Sequence, residues 1–413
     1  MKRVALLCLG LVMGAASAAE AQLTMQMSNG WSFTFGGNVN AFLVYEKPSD
    51  VTTPSDPLGG IVGAGGDGVT RIRTGLLPAF AVFDAKGKEG NTDVGVHFGF
   101  APQIQCGIGA GSNSVGEQGH DCFGAQIDMR QVYLTVGGSW GQILAGRELG
   151  LFNRQNILTD QTLFGIGATG GINGGGTTLG RIGFGYIYPQ FVAQMTYSTA
   201  AGRPTQLSIG LFQPSSLAGE TGAVYDQTQI PRVEAEGVYS QGNVKVWVGG
   251  TVQHAKNTTT DESKSAFGGS GGVRLGNPTF SVTGSGYYGK GIGTTLQFNG
   301  VNSGNGSAVD GLGVGADGEL RNSFGFIGQV TFTPASSKWT VAGSYGSSYL
   351  DATDGEPTFK TENTLISGGI YYQATKSLKV VGEGNYAWTK NSDQAGAERN
   401  KTFAPAFGLM LFF

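Results

Sequence analysis

The chain is poor in cysteine (three among 413 residues), in histidine (three) and in charge, with Asp, Glu, Lys and Arg making up 13% of it. Each scarcity excludes something. His97, His120 and His254 are scattered and lack the spacing of zinc ligands, so no metal chemistry is encoded. His120 beside Asp121 and Cys122 is better explained by loop polarity and a disulfide than by thiol chemistry. The Gly-rich GGINGGG lacks the Lys-Ser/Thr that completes a phosphate loop. Enzyme chemistry and a cofactor therefore find no support. Past the leader no run of about 18 apolar residues occurs, which excludes a helical membrane span.

Glycine is plentiful, at 73 of 413 residues, well above the average usage of about 7%. An internal glycine costs a helix about 1 kcal/mol relative to alanine, so long helices are disfavoured. Disorder is disfavoured too, because the glycines alternate with Phe, Tyr, Trp and Val.

The first residues, MKRVALLCLGLVMGAASAAEAQ, place Lys2 and Arg3 before an apolar run and small residues, the layout of a cleaved secretory signal peptide over 1–21. Cleavage fits after Ala18 or Ala21, the second favoured because Ala19 and Ala21 flank Glu20. Cys8 lies inside the apolar part of the leader, which argues against a lipoprotein. Residues 22–413 then carry 24 basic against 28 acidic side chains, a formal charge of −4, which implies no nucleic-acid partner. Cys106 and Cys122 bracket a short polar stretch, and in an exported chain they read as a loop-closing disulfide, with two free thiols as the alternative.

Alternation organises the rest. In GWSFTFGGNVNAFLVYEK, Trp31, Phe33, Phe35, Val39, Ala41, Leu43 and Tyr45 share one face, while Ser32, Thr34, Asn38 and Asn40 share the other. Val244, Val246, Val248 and Val252 oppose Lys245, Trp247, Thr251 and Gln253; Leu378, Val380, Tyr386 and Trp388 oppose Lys379, Glu383 and Asn385. A soluble sandwich would bury the apolar face, whereas a membrane barrel turns it to lipid and lines a lumen with the polar one. Strand candidates of about ten residues, aromatics near strand ends and linkers alternating short and long favour the barrel.

The expected fold is an all-β, transmembrane antiparallel barrel. Strands in one direction begin near Trp31, Thr92, Trp140, Phe191, Val244, Thr279, Trp339 and Leu378; the returning ones begin near Val69, Gln126, Gly180, Pro231, Lys264, Leu320, Thr361 and Lys401. That makes sixteen strands. A turn at AAGRPT, with a further strand in QLSIGLFQP, would make eighteen. The closing FAPAFGLMLFF puts Phe407, Leu409 and Leu411 at alternate positions before a terminal aromatic, Phe413.

The leader, the alternating strands and this closing segment resemble the Gram-negative porin family. The resemblance implies residence in the outer membrane among lipid and lipopolysaccharide, a homotrimer, and recognition of Phe413 by the outer-membrane assembly machinery. The segment from MRQVYLTVGG to GRIGFGYIYP resembles the porin region whose third loop folds into the barrel, here 149–178, as a constriction. By the same resemblance a basic wall faces acids on that loop. Arg71 and Arg73 in TRIRTG oppose Ile72 and so face the lumen by phase; Arg147, opposite Leu144, and Arg181, opposite Ile182, join them. Arg130 matches the family position but shares the phase of Val132 and Leu134, so it reaches the lumen only through a bulge. Glu148 and Asp160 supply the acids. Arg232, Glu234, Glu236 and His97 are further lumen positions by phase.

The expected function is passive diffusion of ions and small hydrophilic solutes through a water-filled channel, with a slight anion preference from the arginines. Two rivals remain. One is a channel selective for phosphate, a dicarboxylate or a sugar. The other is a structural or adhesive barrel without an open pore, attached through the Gly-rich stretch 291–318. A lipase or protease would need a catalytic constellation that the sequence lacks.

Overall fold

The structure is a computed structural model that describes residues 22–52, 62, 66–105, 127–170, 176–217, 219, 225–298, 301–302, 309–310, 313–356, 360–391, 396 and 398–413. The leader, Cys106 and Cys122 lie outside the described residues.

Sixteen antiparallel strand positions close into a barrel. In chain order they are β1 (Ser32–Pro48), β2 (Val69–Arg73 continued by Phe80–Glu89), β3 (Thr92–Pro102), β4 (Ile127–Gly138), β5 (Gly141–Leu149), β6 (Phe191–Ser198), β7 (Thr205–Phe212) and β8 (Arg232–Gln241). The second half comprises β9 (Val244–Lys256), β10 (Ser263–Gly276), β11 (Phe280–Lys290), β12 (Asn322–Phe332), β13 (Trp339–Asp351), β14 (Lys360–Gln373), β15 (Leu378–Asn391) and β16 (Asn400–Phe412). Neighbours in sequence pair, and β16 closes the ring on β1 with Asn38 opposite Phe412 and Leu43 opposite Phe407. A short strand, Leu23–Gln26, pairs with Ser32 to Phe35 of β1.

The polarity is reversed, as a membrane barrel requires. Val39, Leu43, Ile72, Met195, Leu207, Ile209, Val248, Leu409 and Leu411 are exposed on the outside, while Asn38, Asn40, Gln131, Thr196, Glu234, Gln253, Ser344, Glu383 and Asn385 are buried inside. Aromatic pairs mark strand ends, with Trp140 stacked on Tyr197 at 6.2 Å between ring centroids and Trp339 packed at a tilt against Tyr372 at 4.3 Å. Rings with one apolar and one polar edge suit the boundary between hydrocarbon and water.

The strand count agrees with the sequence reading, but one strand is elsewhere. No strand starts at Gly180; residues 180–188 lie inside the connection between β5 and β6, and the sixteenth position is filled by Thr205–Phe212. The turn at AAGRPT therefore forms, without raising the count to eighteen. The Gly180 segment misled because GRIGFGYIY alternates like a strand, yet Gly180, Gly183 and Gly185 all have positive φ (58°, 81° and 139°), which folds the chain back on itself. Phe191–Ser198 consequently runs opposite to the expected direction.

The interruption of β2 also has a local cause. Pro78 cannot donate a ladder bond, and residues 74–79 leave the strand while Asn side chains replace the missing partners. Asn40 Nδ2 donates to the Leu77 carbonyl (2.9 Å), Asn38 Nδ2 to the Pro78 carbonyl (3.0 Å), and Gly75 N donates to Asn40 Oδ1 (2.9 Å). The detour turns Leu76 and Leu77 inward, where the infolded loop meets them.

Candidate functional site

The described residues of the connection between β5 and β6, 150–170 and 176–190, occupy the barrel interior. This connection is longer than the 149–178 expected, because the absent Gly180 strand belongs to it. A short helix α1 (Arg154–Thr159) leads to Asp160, whose carboxylate caps the 3₁₀ turn Gln161–Phe164 by accepting from Thr162 N at 2.9 Å. Ile157, Leu163 and Ile166 on this loop pack against Phe42, Leu76, Leu77, Phe80, Tyr371, Val381 and Met410 of the wall. Fully burying one such aliphatic side chain is worth about 1.5–3 kcal/mol. The loop is docked by a hydrophobic core of its own.

Polar contacts fix its position around the wall. Glu234 of β8 accepts from Leu151 N (2.7 Å) and Phe152 N (2.9 Å) through one oxygen. Glu236 pairs with Arg154 (2.5 Å) and accepts from Gln155. Trp247 of β9, an inward-facing indole, donates to Asn156 (2.7 Å). Gln329 of β12 accepts from Gln161 N (2.7 Å) and donates to the Thr159 carbonyl (3.1 Å). Glu383 of β15 accepts from Ile166 N (3.0 Å) and Gly167 N (2.7 Å), and from the Tyr371 hydroxyl (3.2 Å). A Cβ at Gly165 would strike the Glu383 carboxylate, so glycine is what lets the loop backbone approach it.

The expected arginines divide into three groups. Arg71 and Arg73 face inward, as their register with Val44 and Phe42 shows. Arg73, 2% exposed, spends its guanidinium on the carbonyls of Thr169 (3.2 Å), Gly176 (3.3 Å) and Thr177 (3.1 Å). Arg71 is half-buried. Arg130 is also turned in, because a bulge opposite Gly99 and Phe100 shifts the phase of β4 there; it pairs with Asp128 (2.9 Å) and reaches the Tyr188 hydroxyl (3.4 Å).

Arg147 is a correction. It is paired with Val132 and Ala193 on the outward face, since Leu144, from which its phase was counted, itself pairs with the buried Thr196. Arg181 is a second one: it is a loop residue, fully buried, donating to the carbonyls of Leu365 and Ser344 (both 2.8 Å). Its Nε lies 3.9 Å from Asp160, which also accepts from the Tyr186 hydroxyl (2.9 Å). Asp160 and Arg181 are thus neighbours in one loop and do not face each other across a gap. Glu148 stands on the inner wall at the end of β5, accepting from Gln131 Nε2 (2.8 Å) and its own neighbour Leu149 N (2.7 Å). His97 pairs with Asp84 (2.9 Å) and stacks on Tyr133 at 4.5 Å.

The loop's principal anchors, Glu234, Glu236, Gln329 and Glu383, are not marked by any motif. Their one legible signal is a carboxylate or amide on the lumen phase of a strand.

The stretch 291–318, read as an attachment loop, begins by turning inward. Ile292 and Phe298 are buried with Phe152, Ile187, Leu217 and Tyr225, and Tyr188 N donates to the Thr295 carbonyl (2.9 Å). The connections near the mouth are tied by Arg321, whose Nε and Nη2 donate to Glu356 (2.9 and 2.7 Å), and by Thr353, which donates to Asp317 (2.8 Å). Burial alone would raise the Glu356 carboxyl, but the Arg321 guanidinium and the Ala316 amide hold it down at about 2.

A model of the Gram-negative porin family matches residues 5–394. No curated protein sequence matches. Among solved structures, the outer membrane channel DcaP of Acinetobacter baumannii aligns with a TM-score of 0.64 at 16% identity, over 94% of this chain and 99% of that one. An anion-selective porin from Comamonas acidovorans aligns with a TM-score of 0.59 at 12% identity, over 93% and 100%. The outer membrane protein OmpT of Vibrio cholerae in a trimer form aligns with a TM-score of 0.52 at 14% identity, over 93% and 100%. At such identities the likeness is one of fold.

Proposed function

The chain belongs to the Gram-negative porin family, and from that premise we propose that it lets ions and small hydrophilic solutes diffuse down their gradients through the space its infolded loop leaves. The observation that carries the reading is a closed barrel, polar within and apolar without, holding residues 150–170 and 176–190 inside it. Sieving needs no catalytic group. A loop tied to strands around the wall sets a fixed width, and Arg71 contributes positive charge at the wall. Fixed charge in a narrow passage lowers the barrier for ions of opposite sign. We assign the slight anion preference to Arg71, the more exposed of the two arginines of β2.

The reading extends to assembly. The chain is exported by a leader removed after Ala21, carries a Cys106–Cys122 disulfide, and forms a homotrimer in contact with lipopolysaccharide. Phe413 serves as the recognition signal for barrel insertion, and its ring lies 5.4 Å from Phe35 while its backbone exchanges bonds with Gly37 (2.8 and 3.1 Å). Swelling of liposomes containing the refolded mature chain tests the transport reading. Uptake should fall steeply as the sugar grows from a pentose to a trisaccharide; liposomes that do not swell with any of them would overturn it.

A further inference from the structure

Arg232 opens β8 near the long-loop mouth and is completely buried, yet its Nη1 and Nη2 meet no acceptor among the described residues. Glu234 Oε1 stands 3.0 Å from Nε, a close ion pair whose angle does not make a hydrogen bond. That carboxylate cannot turn further toward the guanidinium. Its other oxygen holds Leu151 N and Phe152 N, and Oε1 also accepts from Gln297 Nε2 at 3.2 Å. Phe212 and Phe298 each place a ring 5.6 Å from the guanidinium carbon. Ring faces attract a cation but give its N–H groups no lone pair, so the Nη edge is left with donors and no base.

Further polar atoms nearby are unmet. Gln297 Oε1 and Thr295 Oγ1, on the same inward segment as Phe298, are buried and meet no partner among the described residues. Phe298 itself has φ 71°, a left-handed backbone that a bulky side chain rarely adopts. Its amide is pinned to the Ile292 carbonyl at 3.0 Å. Strain of this kind persists only where the surroundings enforce it, and it is relieved when the segment moves.

We propose that Arg232 anchors a binding site for a small oxyanion, a carboxylate or phosphate offering two oxygens to the Nη edge, with Phe298 as its cover. A guanidinium presents parallel donors that match two oxygens of one anion, which water matches less well. The site opens on β8, whereas Arg71 and Arg73 stand on β2, and its occupancy does not require that the barrel conduct. Complete burial restricts it to small ions unless Phe298 swings aside.

Calorimetric titration of the refolded mature chain in detergent tests this, using sodium acetate and, separately, sodium phosphate against sodium chloride of equal ionic strength. We expect saturable binding, one ion per chain, weakened at least tenfold in Arg232→Gln and to an intermediate degree in Arg232→Lys, which keeps the charge without the fork. Phe298→Ala should bind at least as tightly as wild type, having lost only the cover. Acetate alone saturating assigns a carboxylate site, and phosphate alone a phosphate site. Saturation by neither, or binding unchanged in both Arg232 variants, overturns the proposal. Bilayer conductance on the same preparation reports separately on the channel, so a conducting barrel that binds no anion refutes this site alone.

Discussion

A carboxylate that accepts two consecutive backbone amides is hard to replace, and Glu234 and Glu383 each do so for the infolded loop. Removing an acceptor leaves buried amides unpaired, which costs roughly 1–3 kcal/mol. Glu383→Ala should therefore speed hydrogen exchange at Ile166 and Gly167 by about 30-fold, the equivalent of about 2 kcal/mol, while exchange in β8 stays unchanged; unaltered exchange at those two amides would show that the apolar core alone docks the loop. The two lumen arginines should separate. Arg71→Ala should move the reversal potential in a salt gradient toward cations, whereas Arg73→Ala should chiefly add current noise by releasing the carbonyls of Thr169, Gly176 and Thr177. Equal selectivity shifts in both would contradict the division of labour. Phase in the sequence was enough to turn Arg71, Arg73, Glu234 and Glu383 inward, since side chains alternate strictly along an unbroken strand. It failed at Arg147, where the reference residue Leu144 was an inward-facing apolar side chain, and it needed the bulge beside Gly99 to place Arg130.

The connections at the mouth depend on the pair of Arg321 and Glu356. The folded carboxyl is depressed to about 2 from an ordinary 4.5, so its contribution is complete above 4.5, shrinks as pH falls below that, and is gone below about 2. Limited proteolysis of residues 313–321 should accordingly stay slow at pH 7 and pH 5 and accelerate toward pH 2; acceleration already complete at pH 5 would deny the pair its role. Strand ends were legible wherever a turn is two to four residues long, because Gly242, Asn277 and similar residues interrupt the alternation sharply. The third loop was legible in kind but not in extent. Residues 180–188 alternate apolar and small residues as a strand does, and only their left-handed glycines, which sequence does not reveal, bend them into the interior. The inward turn of 291–298 left no pattern either, as it is fixed by packing of Ile292 and Phe298 against residues distant in the chain.

The barrel as a body follows from one reversal of polarity, readable because apolar and polar positions alternate with the same phase through nearly every strand. What alternation could not show is how full the interior is: a docked loop with its own core, and a second segment at the mouth, both depend on contacts far apart in sequence. The account stands on the claim that this docked loop sets the width of an open channel. Single-channel conductance of the refolded mature chain in planar bilayers, compared with a Glu234→Ala/Glu383→Ala variant, tests it most directly. Wild type should give discrete ohmic steps, and the variant larger and noisier ones as the loop leaves the wall. A folded wild-type barrel without steps, or a variant with unchanged step size, would contradict it.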